Sequence, residues 1–81
     1  MSFSQFRETI AGFGIAHEDA EVIADCIVTK KVCSWVNTAP VDDSQVKKIN
    51  EFIAQQNVQI FLSIQSVPTR GKFIWEVKHK R

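Results

Sequence analysis

The sequence lacks the long apolar run that a membrane-spanning helix requires. No stretch approaches the roughly 20 consecutive apolar residues that cross a bilayer. Residues 1–10 also lack the basic segment followed by an apolar segment that is typical of a secretory signal peptide. We therefore expect a soluble cytoplasmic protein that is neither secreted nor inserted in a membrane.

The sequence also lacks the short motifs that carry common enzymatic chemistry. It has no glycine-rich phosphate loop, no His-Glu-x-x-His, no paired Cys-x-x-Cys and no Gly-x-Ser-x-Gly. His17, Glu18 and Asp19 are consecutive, so their side chains point in different directions, and we interpret the two carboxylates as first-turn residues that favour the helix dipole. We therefore expect no enzymatic activity, no cofactor and no metal site.

Cysteine is scarce, with Cys26 and Cys33 as its two representatives. The two residues could pair in principle, but in the absence of a secretion signal we interpret them as reduced thiols in buried positions. A catalytic pair of Cys26 with His17 is excluded because nine residues of helix separate them by roughly 13 Å.

The length of the chain limits it to one hydrophobic core. With 81 residues, of which 44% are hydrophobic and 23% charged, the composition is that of an ordinary globular protein. We expect a single domain spanning residues 1–81. Because a core of this size provides only about 3 to 5 kcal/mol of net stability, a homodimer is an open alternative.

Three segments have the periodicity and the end signals of α-helices. Their predicted bounds are Phe3 to about Ala11, His17 to about Thr29, and Asp43 to about Gln56. Ser2 with Gln5, and Asp42 with Gln45, have the spacing of a capping box, which predicts where the first and third helices begin.

The helix faces and ends follow from the same pattern. In the third helix the predicted buried stripe is Val46, Ile49, Phe52 and Ile53, and the predicted solvent side is Gln45, Lys47, Lys48, Glu51 and Gln55. Gly12 and Gly14 are expected to end the first helix in the left-handed conformation that glycine adopts without a Cβ penalty. Asn57 is expected to stop the third helix.

The period changes to two after the third helix. The residues Val58, Ile60, Leu62 and Ile64 alternate with Gln59, Phe61, Ser63 and Gln65, which predicts a strand with Ile60 in the core. Pro68 and Gly71 predict a turn, and residues 72–79 alternate again, so we expect a β-hairpin. Residues 31–36 are either a short strand, which we prefer, or an extension of the second helix, and residues 37–41 are predicted as a loop.

This order of elements predicts an α+β fold in which three helices pack on a small antiparallel sheet of two or three strands. The order resembles that of the winged-helix DNA-binding proteins, in which the third helix reads the groove and the hairpin forms the wing. Residues 30–42 are longer than the helix-turn-helix connection of that family. The nucleic-acid contacts that this resemblance implies are Lys47, Lys48, Gln55, Arg70 and Lys72.

Charge is distributed unevenly along the chain. Residues 1–64 hold five basic and eight acidic side chains, whereas residues 65–81 hold five basic side chains and Glu76 as their one acid. Basic residues interleaved with aromatic ones can bind phosphates and stacked bases, although Phe73 and Trp75 have the spacing of core residues. The hairpin is therefore the strongest functional candidate in the sequence.

Two large apolar residues of the hairpin are expected on the face of the sheet that the core does not occupy. Phe61 and Ile74 each alternate with core-spaced neighbours, and an exposed apolar patch with a polar rim is typical of a protein-binding surface. A second helical layer or a dimer would be an alternative cover. The predicted partner-binding residues are Phe61, Ile74, Arg70, Lys72, Lys78 and Lys80.

These observations predict a non-catalytic accessory or inhibitory protein that docks on a larger protein or nucleoprotein assembly. In outline, many phage and mobile-element regulators are of this kind. A winged-helix-like DNA-binding regulator is the alternative. The net charge of +1 favours the first hypothesis, because nucleic-acid-binding domains are usually basic.

Overall fold

The computed structural model describes residues 2–38 and 41–80, which form three helices and three strands. In chain order these are α1 (Phe3–Ala11), α2 (His17–Thr29), β1 (Cys33–Asn37), α3 (Asp43–Ala54), β2 (Ile60–Val67), a 3-10 turn (Pro68–Arg70) and β3 (Lys72–His79). The predicted α+β class is confirmed, with three helices and a three-stranded antiparallel sheet. The winged-helix arrangement is not confirmed and stays a prediction.

The sheet has the strand order β1-β3-β2, so the last strand of the chain lies at its centre. β3 pairs antiparallel with both neighbours, and its Trp75 lies opposite Trp35 of β1 and Ile64 of β2. The preferred strand interpretation of residues 31–36 is confirmed, although β1 begins at Cys33 and includes Asn37. The loop predicted for residues 37–41 falls partly on residues 39 and 40, which lie outside the described residues.

The end of α1 differs from the prediction. Gly12 is the C-cap residue with φ −63° and ψ −16°, which is right-handed helical geometry, so the expectation of a left-handed Gly12 is wrong. Its N–H still bonds to the Glu8 carbonyl, which continues the helical pattern by one residue. Gly14 instead has a φ of +91°, and a Cβ there would lie 2.7 Å from Nε2 of Gln45. Glycine at position 14 therefore permits both the turn and the close approach of α3.

The start of α3 explains that close approach. Gln45, predicted on the solvent side, is half-buried, so this expectation is wrong. Its Oε1 accepts the Asp42 N–H at 2.8 Å, as the capping-box spacing indicates, and its Nε2 donates to the Phe13 carbonyl at 3.0 Å. One glutamine thereby caps α3 and attaches it to the end of α1, over 32 residues of chain.

The ends of the following elements are close to their predicted bounds. α3 ends at Ala54 with Gln55 as its C-cap residue, two residues before the predicted end at Gln56. Asn57, the expected stop, lies two residues past the cap with a φ of +58°. β2 begins at Ile60, two residues later than predicted, although Val58 is buried. Pro68–Arg70 forms a 3-10 turn, and Gly71 follows it with a φ of +60°.

All three helices pack on the same side of the sheet, and we call this side the inner face. Together with the sheet they form one buried cluster. Its members are Phe6, Ile10, Ile15, Ala20, Ile23, Ala24, Cys26, Ile27, Ile49, Phe52, Ile53, Val58, Ile60, Leu62, Trp75 and Val77. Phe52 of α3 makes edge-to-face ring contacts with Phe6 and Phe13, which joins the first and third helices. Ile53 and Ile60 are buried, as predicted.

The helices α2 and α3 run beside opposite edge strands. Cys26 of α2 contacts Cys33 of β1, while Asn50 of α3 accepts the Leu62 N–H at 2.7 Å and donates to the Leu62 carbonyl at 3.0 Å. Because Leu62 uses both backbone groups in this way, Asn50 closes part of the free edge of β2. Among the described residues, no helix combines the length and the apolar character needed to cross a bilayer.

Candidate functional site

The side of the sheet opposite the helices, which we call the outer face, consists of the alternate residues of the three strands. By register and alternation its members are Ser34, Val36, Phe61, Ser63, Gln65, Val67, Lys72, Ile74, Glu76 and Lys78. In one row across the sheet, Val36 lies opposite Ile74, which lies opposite Gln65. The described residues place no helix over this face, so its apolar side chains are not part of the core.

One end of the outer face forms a cavity of about 310 Å³, which we call the apolar groove. Its lining residues are Val36, Val67, Arg70, Lys72 and Ile74. Val36 is 55% exposed, the largest exposure among the large apolar side chains of the described residues. The 3-10 turn and Gly71 bring Arg70 beside the strand ends, because they reverse the chain within four residues.

The two cations of the apolar groove are not neutralised locally. Within residues 2–38 and 41–80, the one ion pair is Lys78 with Glu76, at 3.8 Å, and neither Arg70 nor Lys72 takes part in it. Both cations are exposed. The groove therefore combines apolar contact area with two positive charges available to a partner.

The predicted partner-binding residues do not all lie together in the structure. Ile74, Arg70 and Lys72 line the apolar groove together. Phe61 of β2 and Lys78 of β3 lie opposite each other on the same face. Lys78 is four residues from Ile74, or about 13 Å along β3 at 3.3 Å per residue. Lys80 lies past the end of β3, where its backbone N–H donates to the Gln59 carbonyl at 2.8 Å.

The predicted nucleic-acid contacts are also divided. Lys47 and Lys48 are exposed on α3, and Gln55 is its exposed C-cap residue. α3 packs on the inner face, whereas Lys72 belongs to the outer face. The sheet therefore separates the two helix cations from the groove cations, which the sequence grouped together.

Sequence reasoning missed Val36 and Val67 as lining residues of the groove. Val36 is the last residue of the segment 31–36, which the sequence left ambiguous between strand and helix. Its pairing with Ile74 depends on a register between residues 38 positions apart. The local signal was the alternation of Val36 with Trp35. That signal assigns a face but does not identify a cross-strand neighbour.

Asp19 lies in the first turn of α2, as expected, but its contacts go beyond that prediction. It is 7% exposed, and its carboxylate accepts the Trp35 indole N–H and the Asn37 amide N–H, each at 2.9 Å. The interpretation of Asp19 as an ordinary first-turn acid is therefore incomplete. A buried carboxylate needs hydrogen-bonding partners, and both of its partners here belong to β1. The Asp19 side chain therefore attaches the start of α2 to β1.

Two observations concern metal-binding side chains and thiols. The described residues contain no group of three His, Cys, Asp or Glu side chains that could hold a metal ion. The pKa of the Cys26 thiol is raised to about 12, chiefly by burial and next by its hydrogen bond with Cys33. A raised pKa keeps this thiol protonated and unreactive near neutral pH.

Comparison of the chain with protein-family models, with curated proteins and with solved structures finds no match. The groove, its charges and the fold are therefore the basis for a functional proposal.

Proposed function

We propose that the chain is a non-catalytic accessory or inhibitory protein that docks on a larger protein assembly through the apolar groove and the adjoining outer face. The partner segment is acidic and apolar. Its apolar side chains pack on Val36, Val67 and Ile74, and its carboxylates pair with Arg70 and Lys72. The observation that carries the proposal is the coincidence around one cavity of three apolar side chains and two cations that form no ion pair within the described residues.

Exposed apolar surface supports a binding role. Val36 is half-exposed beside Ile74, and neither side chain packs in the core of the described residues, which lies on the opposite face. Apolar patches with a charged rim are typical of protein-binding surfaces. The rim charges would speed association and select acidic partners.

A second copy of this chain fits the same groove less well. A twofold dimer presents the same patch from both subunits, so it would bring four cations, two from each copy, into one interface. Like charges at an interface oppose association. Because Arg70 and Lys72 form no ion pair in the described part of the chain, they favour a different, acidic partner over a homodimer.

The charges of α3 favour a protein partner over duplex DNA. Lys47 and Lys48 share the exposed side of this helix with Asp43 and Glu51, so the helix has no excess of positive charge. Phosphate contacts dominate affinity for DNA and require such an excess. The alternative, a winged-helix-like DNA-binding regulator, would have to use α3 and the hairpin together.

The test is affinity capture from a nuclease-treated lysate of the source cells, with matched variants of β1. Val36→Asp places a negative charge in the groove, and Ser34→Asp places the same charge on the same strand and face but outside the groove. We expect the wild-type chain and Ser34→Asp to retain the same acidic protein. Val36→Asp and the double variant Arg70→Gln/Lys72→Gln should lose it, by at least tenfold in Kd for the isolated partner.

Two results would contradict the proposal. Equal retention by Val36→Asp and Ser34→Asp would show that the groove does not bind the partner. Tight duplex-DNA binding at physiological salt, lost in Lys47→Gln/Lys48→Gln and kept in Val36→Asp, would select the DNA-binding alternative. In that case the slope of log affinity against log salt should flatten by about 0.9 per lost phosphate contact.

A further inference from the structure

Cys26 and Cys33 bring two sulfur atoms together at the junction of α2 and β1. Their Sγ atoms are 2.6 Å apart, closer than two sulfur atoms in simple van der Waals contact. The backbone imposes this proximity from both sides. α2 carries Cys26 near its end, Lys30 reverses the chain in the left-handed conformation, and pairing with Val77 positions Cys33 at the start of β1.

This geometry is unsuitable for a metal bound between the two thiols. A zinc ion holds sulfur ligands at about 2.3 Å in a tetrahedron, which separates them by roughly 3.8 Å. The observed separation of 2.6 Å is much closer to the roughly 2.04 Å of a covalent S–S bond. Within the described residues, no third His, Cys, Asp or Glu joins the pair to complete a metal site.

A small oxidant can reach the pair. The two cysteines line a cavity of about 520 Å³ together with Phe3, Val22 and Val32. Cys26 is only 3% exposed, whereas Cys33 is half-buried at the edge strand. Cys33 is therefore the sulfur that an incoming molecule meets first.

We propose that Cys26 and Cys33 form a reversible intramolecular disulfide by exchange with a small disulfide oxidant of the glutathione type, with Cys33 as the first nucleophile. The bond would connect the end of α2 to β1, the strand that carries Val36 of the apolar groove. The pair is thus a redox modification site, in contrast with the reduced thiols that the sequence alone suggests.

The exchange takes place in two balanced steps. The Cys33 thiolate attacks one sulfur of oxidised glutathione, which forms a mixed disulfide at Cys33 and releases one reduced glutathione. Cys26 then gives its proton to solvent, attacks Sγ of Cys33 and displaces the second reduced glutathione. Two protein thiols are oxidised to one disulfide, and one oxidant molecule is reduced to two thiols.

The order of the steps follows from the environment of the two sulfurs. Burial, followed by the hydrogen bond with Cys33 and the charge of Asp25, raises the pKa of Cys26 to about 12, so this thiol is rarely ionised at neutral pH. A thiolate is the attacking species in disulfide exchange. Cys26 becomes effective only in the second step, where its target sulfur is already in contact.

The test is the intact mass of the full chain after incubation with oxidised glutathione, followed by alkylation of free thiols. The wild-type protein should lose two hydrogen atoms, take up no alkyl group and remain monomeric. Cys26→Ser should stop at the first step and gain one glutathione at Cys33. Cys33→Ser should gain none, because Cys26 is buried. The wild-type melting temperature should rise by about 5 to 15 °C on oxidation.

Three outcomes would overturn the proposal. The first is a wild-type protein in which both thiols remain alkylatable at an oxidant level that fully oxidises a Cys-x-x-Cys control peptide. The second is a disulfide that links two chains. The third is glutathione on Cys26 in Cys33→Ser, with the fold of that variant verified by circular dichroism. The wild-type mass decides the first two without any substituted chain.

Discussion

The inner and outer faces of the sheet are built from alternate residues of the same three strands, yet their surroundings differ. On the inner face, Trp75 is 1% exposed beneath the helices. On the outer face, Val36 is 55% exposed, although it lies one residue from Trp35 and pairs with the neighbour of Trp75. Apolar character alone therefore does not separate core from surface in this sheet.

The difference between the faces comes from where the helices attach. Asp19 holds α2 to β1 through side chains of the inner face, and Asn50 holds α3 to the backbone of Leu62. Both attachments lie on the same side, so the outer face receives no cover from the described residues. The apolar side chains of the outer face therefore stay outside the core and do not contribute to folding in the way those of the inner face do.

We expect the largest difference in stability between alanine variants of two adjacent residues of β2. Ile60→Ala removes a buried side chain and should lower the free energy of unfolding by about 2 to 5 kcal/mol. Phe61→Ala, one position along and on the outer face, should cost about 1 kcal/mol or less. Urea denaturation followed by circular dichroism measures both. Equal losses would mean that the two faces are equally important for folding.

A second comparison concerns neighbouring acids in the first turn of α2. Asp19→Ala leaves the indole of Trp35 and the amide of Asn37 without their acceptor and should cost about 2 to 4 kcal/mol. Glu18→Ala, at an exposed position, should change stability by no more than about 0.5 kcal/mol. Similar melting temperatures for the two variants would rule out Asp19 as the attachment of α2.

A third comparison tests the attachment of α3. Asn50→Ala removes two hydrogen bonds to Leu62 and should cost about 1 to 3 kcal/mol. It also reopens the edge of β2, so self-association should increase with protein concentration in analytical ultracentrifugation. Glu51→Ala is the matched exposed control on the same helix. An Asn50→Ala chain as stable and as monomeric as that control would contradict the role of Asn50.

The smallest effect on stability should come from the groove cations. The double variant Arg70→Gln/Lys72→Gln alters exposed side chains that form no ion pair within the described residues. The free energy of unfolding should therefore change by about 0.5 kcal/mol or less. The same variant should nevertheless lose the acidic partner. A large stability loss in thermal denaturation would show that these residues contribute to folding.

Much of the fold was predictable because its signals are local. Ser2 with Gln5 marked the start of α1, the alternation after Val58 marked β2, and Pro68 with Gly71 marked the hairpin turn. Capping, periodicity and turn formation each depend on residues within a few positions of one another. The error at Gln45 arose because a distant segment, the end of α1, accepts a hydrogen bond from its side-chain amide.

The candidate site was predictable only in part for the same reason. The alternation in β3 assigned Ile74 to the face opposite the core, and the composition of residues 65–81 indicated the cations. The tertiary structure alone decided that Val36 meets Ile74, that Asp19 reaches Trp35 and that Cys26 touches Cys33. Sequence periodicity assigns a residue to a face of its own element, whereas register and packing between elements determine which residues of other elements it contacts.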